Sequence, residues 1–292
     1  MERTIFRQEL EGLVMVEQVV REEDYSMKSR HFHDTYELYF LEEGEGYYFI
    51  DRETYLVRAG DVVLIKPNQI HKTSMERVAR HGRLLLQITE APMDAFLWGN
   101  GFMTLEELYD KKGRIVSLGE RAGAAVKELM IRVGEEIRDR QRGYDLMVRL
   151  KLLELLAVLW RCGEDAPPER EERVAQSPKY QKVQEVAEYL QANPGTRESL
   201  DQLAGRFYIS RSWLSRIFRE VTGFSVSEYA NMVRVKRAQK LLAHGDYSVT
   251  EISELVGFES ITYFERIFRR YTDRTPLGYR REKRGDIARG RE

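Results

Sequence analysis

The sequence has little cysteine and no long uninterrupted hydrophobic run. Its one cysteine, Cys162, cannot form an intrachain disulfide, and it excludes a CxxC zinc or redox motif. The most apolar segment, residues 150–160, contains Lys151 and Glu154 and is too short to span a bilayer. The N-terminal residues are charged and lack the apolar stretch of a signal peptide. We therefore expect a cytoplasmic protein that does not contact a membrane.

The charge is nearly balanced over the 292 residues but unevenly distributed. Residues 177–292 hold 21 basic and 15 acidic side chains, a net charge of +6, which leaves −7 for residues 1–176. A basic domain is a candidate for binding a polyanion, although a charge of this size is also common on soluble surfaces. Residues 164–176 are charged, contain two prolines and have almost no large apolar side chains. The sequence thus predicts domains at 1–163 and 177–292 joined by a 164–176 linker.

The first domain begins with a pattern typical of strands. Between residues 13 and 90, short apolar runs rich in β-branched and aromatic residues recur at intervals of about ten residues, which predicts an antiparallel sandwich or barrel. The segments Glu43–Gly46 and Arg58–Asp61 are expected to be hairpin turns between strands. The runs are Leu38–Leu41, Tyr47–Ile50, Tyr55–Val57, Val62–Ile65 and Leu84–Ile88.

The period becomes helical between residues 117 and 160. The second of two expected helices carries apolar residues on more than one side, with one stripe through Leu146, Leu150, Leu153 and Ala157. Two explanations are open. Both faces belong to a helix pair that covers the barrel, or the surplus face forms a homodimer interface.

Three of the five histidines lie in two segments that can converge on one site. The segment from His31 reads HxHx3Ex6G, and on a strand His31, His33, Glu37 and Tyr39 would share one face; His71 follows a second Gly- and Pro-containing segment. These segments resemble the cupin family, in which two His and one Glu from the first motif and one His from the second surround a site inside a small β-barrel. The first motif lacks its leading glycine, and in the second Gln69 replaces a glycine.

The candidate effector-binding residues are therefore His31, His33, Glu37, Tyr39 and His71. Of these, His31, His33, Glu37 and His71 have the side chains that bind Zn, Ni, Mn or Fe. The alternative is that the groups hydrogen-bond an uncharged ligand or one another, so that no cofactor is required. A metal-dependent cupin enzyme would place a metal here too, but it would not need a second, basic, helical domain.

The second domain contains a repeated helix-turn-helix pattern. A short apolar helix before Ser210 is followed by a helix with Leu214 and Ile217 on its apolar side, and the same order recurs around Ser260. Aligned on the two serines, the helices match with Arg216 and Arg266 fifty positions apart. A helix from about Val226 to Ala243 joins the two units, and it is long enough to place two recognition helices in successive major grooves.

The residues 213–225, 254–270 and 275–280 resemble the AraC/XylS family of bacterial transcription regulators over about 100 residues. A cupin-like sensor, a helical dimerisation region and this DNA-binding domain are the family's common layout. The chain departs from the family pattern where Asp273-Arg274 replaces a glycine, which we expect to alter a helix end. The fold class expected is α+β with two domains, a cupin-like β-barrel with a helical dimerisation region and an all-α domain with two helix-turn-helix motifs.

The resemblance implies base contacts from the exposed positions of both recognition helices, and we expect phosphate contacts from Arg219, Arg269 and Arg270. A guanidinium can donate two hydrogen bonds to guanine, but phosphates take half or more of protein–DNA hydrogen bonds, so any one arginine can have either role. The candidate DNA-binding residues are Arg211, Ser212, Ser215, Arg216 and Arg219 in the first unit and Ile261, Thr262, Glu265, Arg266, Arg269 and Arg270 in the second.

The function expected is a sequence-specific transcription regulator, not an enzyme, controlled by a small effector in the barrel. The resemblance favours a carbohydrate as that effector, a homodimer as the assembly, double-stranded DNA as the target and, for an activator, RNA polymerase as a further partner. The alternative is a metal-dependent cupin enzyme with an accessory DNA-binding domain.

Overall fold

The computed structural model describes residues 2–22, 25–26, 33–75, 80–162 and 178–289. Within these ranges the chain forms two compact units, one with all ten strands and the first four helices, the other with the last seven helices. No helix in the described ranges is both long and apolar enough to cross a membrane. The 164–176 linker and His31 lie outside the described residues.

The strands of the first unit form two antiparallel sheets. A six-stranded sheet has the order β1-β2-β9-β4-β7-β10, and a four-stranded sheet has the order β3-β8-β5-β6. The strands are β1 (Glu2–Leu10), β2 (Val14–Arg21), β3 (Tyr25–Ser26), β4 (Tyr36–Glu43), β5 (Glu45–Ile50), β6 (Glu53–Arg58), β7 (Asp61–Ile65), β8 (His71–Met75), β9 (His81–Ile88) and β10 (Ile115–Ser117).

The prediction of two hairpin turns is wrong in one respect, because neither turn joins two neighbouring strands of the same sheet. Both segments do turn, but Glu43–Gly46 carries the chain from β4 in the larger sheet to β5 in the smaller one, and Arg58–Asp61 carries it back from β6 to β7. The two crossings lie side by side, since the Ala59 amide donates to the Gly44 carbonyl at 3.0 Å. Turn residues report a reversal of the chain, but which strands pair is decided by long-range register.

Alternation along the strands divides the buried side chains between two clusters. On β4, Leu38 and Phe40 belong to the cluster under the helices, whereas Tyr39 and Leu41 belong to the cluster between the sheets. This period of two places Glu37 on the face that looks toward the smaller sheet. Its register partners are Gln87 on β9 and Ile65 on β7.

Four helices cover the larger sheet: α1 (Glu90–Gly99), α2 (Leu105–Lys112), α3 (Glu120–Asp139) and α4 (Tyr144–Arg161). On α4, the leucines that broaden the apolar face are completely buried in the core, as shown for Leu152 and Leu156. On the other side of α4, Leu146 is 51% and Leu150 is 43% exposed among the described residues. The helix therefore has one face for its own core and a second apolar face directed outward.

Over its described residues the second unit consists of seven helices, and five of them have a serine N-cap. Ser199, Ser225 and Ser248 each form a capping box, while Ser210 and Ser260 accept hydrogen bonds from the third residue of the following helix. The helices are α5 (Pro178–Ala192), α6 (Leu200–Arg206), α7 (Arg211–Thr222), α8 (Val226–His244), α9 (Val249–Leu255), α10 (Ile261–Thr272) and α11 (Pro276–Arg289).

The expected change at the end of α10 is wrong. Helices α7 and α10 have the same length of 12 residues, and each ends at a left-handed residue, Gly223 with φ +73° and Asp273 with φ +56°. Aspartate tolerates this conformation better than most residues because its side chain is short and polar. The substitution therefore keeps the helix end that glycine would give.

Candidate effector site and DNA-binding surface

A buried carboxylate, Glu37, is the centre of the polar groups between the two sheets. Glu37 is 2% exposed. Its side chain accepts hydrogen bonds from the Tyr48 hydroxyl at 3.0 Å and from the Gln87 amide at 3.3 Å. A carboxylate at this depth is stable only if it is paired or hydrogen-bonded, and here strands from both sheets supply the partners.

Two of the predicted histidines lie beside this carboxylate. The His33 Nε2 is 2.9 Å from one Glu37 oxygen, and the His71 Nε2 is 3.9 Å from the other. Burial lowers the pKa of His33, but the hydrogen bond and the negative charge of Glu37 outweigh it, so the pKa is raised above its ordinary value. Candidate ligand atoms of the three residues lie within 4.8 Å of one another, a donor set that suits a divalent metal by type. The structure thus brings together three of the four candidate metal ligands, and the fourth, His31, is outside the described residues.

Tyr39, the other predicted effector contact, lies two residues after Glu37 on the same face of β4. It is buried, and its ring packs edge-to-face with that of Tyr48 at 5.3 Å. Burial and the neighbouring Glu37 charge raise the pKa of Tyr48 well above its ordinary value, which keeps its hydroxyl protonated.

Sequence reasoning missed an arginine at this site. Arg83 on β9 lies next to the Tyr39 ring, with its guanidinium carbon 5.9 Å from the ring centre, and pairs with Glu17 at 2.6 Å. Its Nη1 is buried and makes no hydrogen bond among the described residues. Side chains alternate along β9, and Leu84 and Leu86 point to the helices. The same alternation in the sequence could have predicted that Arg83 and Gln87 point to the opposite face of the sheet.

The predicted contacts of the first recognition helix lie on the exposed side of α7. Arg211, Ser212, Ser215, Arg216 and Arg219 are all exposed, while Leu214, Ile217 and Phe218 are buried. Arg211 forms an exposed ion pair with Asp201 of α6 at 3.1 Å. The helix therefore offers a polar, basic face that its own domain does not cover.

The second recognition helix, α10, has the same division with different exposed residues. Phe264, Ile267 and Phe268 are buried, as their counterparts are in the first unit. The guanidinium of Arg266 stacks on the ring of Tyr263 at 5.1 Å. The exposed candidate contacts are Ile261, Thr262, Glu265, Arg266, Arg269 and Arg270.

The two turns between the helices of each unit are not identical. The left-handed residue is Tyr208 in the first turn, with φ +55°, and Gly257 in the second, with φ +85°. Each follows its first helix by the same number of residues, but the second turn then has one extra residue, Glu259, before its N-cap serine. When the two units are aligned on Ser210 and Ser260, their first helices, α6 and α9, are therefore offset by one residue.

Comparison with known proteins agrees with both halves of this geometry. Residues 15–83 match the model of the AraC-like ligand binding domain, and residues 203–282 match a helix-turn-helix domain. Together the two matches span about half of the chain. The chain belongs to the AraC family of transcription regulators. As an AraC-family protein it binds DNA through the second unit and carries a ligand-binding domain in the first.

Several curated AraC-type relatives match over most of their length. The Msm operon regulatory protein of Streptococcus mutans is 26% identical over 257 residues, 85% of each chain. The HTH-type transcriptional activator RhaS of Yersinia pseudotuberculosis is 25% identical over 257 residues, 86% of this chain and 88% of its own. An uncharacterized HTH-type transcriptional regulator of Bacillus subtilis, YfiF, is 26% identical over 241 residues, 82% of this chain and 74% of its own. Two of these relatives are named as HTH-type regulators or activators of transcription and the third as an operon regulatory protein.

Proposed function

We propose that this regulator responds to a carbohydrate bound between the two sheets of the first unit. The observation that carries the proposal is the buried Glu37 carboxylate, which is surrounded by hydrogen-bonding groups from both sheets. Sugar hydroxyls both donate and accept hydrogen bonds, so a carboxylate and a guanidinium such as that of Arg83 can each bind one. An apolar effector would leave the buried Nη1 of Arg83 without a hydrogen-bond partner.

Two roles for the recognition helices follow from their exposed faces. Arg216 and Arg266, in the middle of each exposed face, are assigned to base edges, and Arg219, Arg269 and Arg270 to phosphates. Ile261 has no hydrogen-bonding side chain, so it can contact only a thymine methyl group or a sugar.

The homodimer interface is assigned to the outward face of α4. Leu146 and Leu150, four residues apart, lie on one side of the helix, and both are about half exposed. A second protomer would remove this apolar stripe from water. The alternative, in which a helix pair within the protomer covers the barrel, explains the buried leucines of α4 but not these exposed ones.

The test uses the purified full-length protein and a panel of sugars in thermal unfolding. A ligand that binds only the folded state raises the melting temperature. We expect at least one sugar to do so for the wild type and for Glu45→Gln, an exposed carboxylate of the same unit, but not for Glu37→Gln. The same sugar should change the affinity for duplexes that the wild-type protein selects from a random-sequence library. The absence of any stabilising sugar would contradict the proposal.

A second candidate is favoured by one observation, the convergence of His33, Glu37 and His71 within metal-binding reach. These side chains would hold a divalent ion, and the ion would supply a Lewis acid for an effector hydroxyl or a substrate oxygen. Elemental analysis after purification distinguishes the candidates. One equivalent of metal lost in His71→Ala, together with turnover of a small substrate, favours the metal-dependent cupin enzyme.

A further inference from the structure

The two helix-turn-helix units touch each other directly, away from the helix α8 that joins them. The contact lies between the loop before α6, at Gly195, and the turn of the second unit, at Gly257. A Cβ atom built on Gly257 would lie 2.7 Å from the Gly195 carbonyl oxygen and 3.0 Å from its Cα. The atoms in contact belong to the backbone of both segments. Unlike a side chain, they cannot move apart by rotating about a bond, so the distance between the two segments is fixed.

One side chain of α8 holds both sides of this contact. Arg234 is half-buried and donates from Nη2 to the Thr196 carbonyl at 2.7 Å and from Nε to the Pro194 carbonyl at 3.4 Å. The same guanidinium lies over the Phe258 ring, 5.4 Å from its centre. The loop that leads into the first unit and the turn that precedes the second recognition helix are thus bound to one planar cation.

A neighbouring residue extends this connection to α10. The Asn231 side chain lies 3.5 Å from Arg234 Nη1 and donates to the hydroxyl of Tyr263 at 3.2 Å. Tyr263 is on the recognition helix itself, with Arg266 stacked against its ring. The position of a candidate base-reading arginine is therefore linked to the same point on α8.

We infer that Arg234 is a positioning residue that sets the distance and angle between the two recognition helices of one protomer, and so determines the separation that the protein accepts between the two DNA sub-sites that these helices contact. The inference rests on the proposed reading of DNA by both units. One added base pair rotates the second sub-site by about 35° and moves it by about 3.4 Å. A rigid pair of helices cannot follow this change, but a pair joined by α8 alone can adjust.

The experiment selects duplexes from a random-sequence library with the full-length wild type, Arg234→Ala and Arg237→Ala. Arg237 is an exposed arginine on the same helix and is the matched control. For the wild type and Arg237→Ala we expect two motifs at a single separation, and an affinity loss of about tenfold or more when one base pair is inserted between them. For Arg234→Ala we expect the same two motifs at several separations, with a loss of less than about threefold on insertion.

Loss of a phosphate contact would weaken binding to all sequences without spreading the separations, so this readout distinguishes positioning from simple charge. If Arg234→Ala does not fold, Arg234→Lys and Phe258→Leu each remove part of the connection and should give intermediate losses on insertion. An unchanged single separation in all three variants would overturn the inference while leaving DNA reading by two units intact. Selection of only one motif by the wild type would overturn both.

Discussion

The left-handed turn residues of the two units give opposite predictions for stability. At Gly257 an alanine side chain would adopt a backbone conformation that costs about 1–2 kcal/mol for an L-residue. Its Cβ would also lie 2.7 Å from the Gly195 carbonyl oxygen. Forcing an extra methyl group against a packed backbone typically costs about 1–3 kcal/mol. We expect Gly257→Ala to lower the free energy of unfolding by about 1–4.5 kcal/mol, allowing for a gain of about 0.4–1 kcal/mol from a stiffer unfolded chain.

Tyr208 is the matched position in the first unit, and there the sign reverses. Its side chain is 95% exposed, so little packing is lost when it is removed. Glycine relieves the left-handed penalty of about 1–2 kcal/mol and costs about 0.5–1 kcal/mol in backbone entropy. Tyr208→Gly should therefore be neutral or stabilising, by up to about 1.5 kcal/mol.

The assay needs a signal from the second unit alone, which the tryptophans provide. Trp213 on α7 is the only tryptophan after residue 177, so replacement of Trp98 and Trp160 by Phe in the full-length protein leaves one reporter. Urea unfolding followed by its fluorescence gives the change for Gly257→Ala and Tyr208→Gly against this parent. A Gly257→Ala variant within about 0.5 kcal/mol of the parent would refute the reasoning.

Three further predictions concern assembly, pH and DNA contacts. Leu150→Glu should convert the proposed dimer to a monomer in sedimentation while the protomer stays folded, and a dimer in both proteins would exclude this face. Burial and the charges of Arg21 and Arg83 lower the pKa of His81 to about 4. Since the unfolded chain takes up this proton near pH 6.5 and the folded chain does not, the contribution of His81 to the stability of the first unit should become less favourable between pH 7 and pH 5, and the melting temperature of His81→Gln relative to the wild type should therefore be higher at pH 5 than at pH 7. Arg219→Ala should weaken binding to all duplexes and lower the salt slope by about 1, whereas Arg216→Ala should change base preference; identical profiles would contradict their separate roles.

The helical unit was predictable because its signals are local. Apolar spacing and the internal repeat specify helices within a few residues, and Ser210 and Ser260, on which the repeat aligns, are the N-caps of α7 and α10. The one-residue difference between the two turns was not visible in the sequence alignment. An alignment on Ser210 and Ser260 matches α7 with α10 but leaves α6 and α9 offset by one residue. Only the backbone shows that Tyr208 and Gly257 occupy the same conformation.

The site in the first unit was only half predictable. The period of two placed Glu37 and Tyr39 on one face of a strand, but the partners of Glu37 come from strands distant in sequence. Tyr48 reaches it because the chain crosses to the second sheet after β4, and that crossing was mistaken for a hairpin turn. Turn residues in the sequence do not indicate which strands pair in a sheet. The residues that surround the Glu37 carboxylate could therefore not be predicted from the turns.

The two helix-turn-helix units differ in the exposed residues of their recognition helices, so they should prefer different DNA sequences. At aligned positions the first helix presents Arg211 and Ser215, and the second presents Ile261 and Glu265. A glutamate accepts from the cytosine amino group and is repelled by phosphates, while an isoleucine favours a thymine methyl group. The buried residues repeat because both units need the same core, but the exposed ones set different base preferences. One protomer is therefore expected to bind two unlike sub-sites in a fixed order, so that each half-site has a direction and a dimer can distinguish inverted from direct repeats.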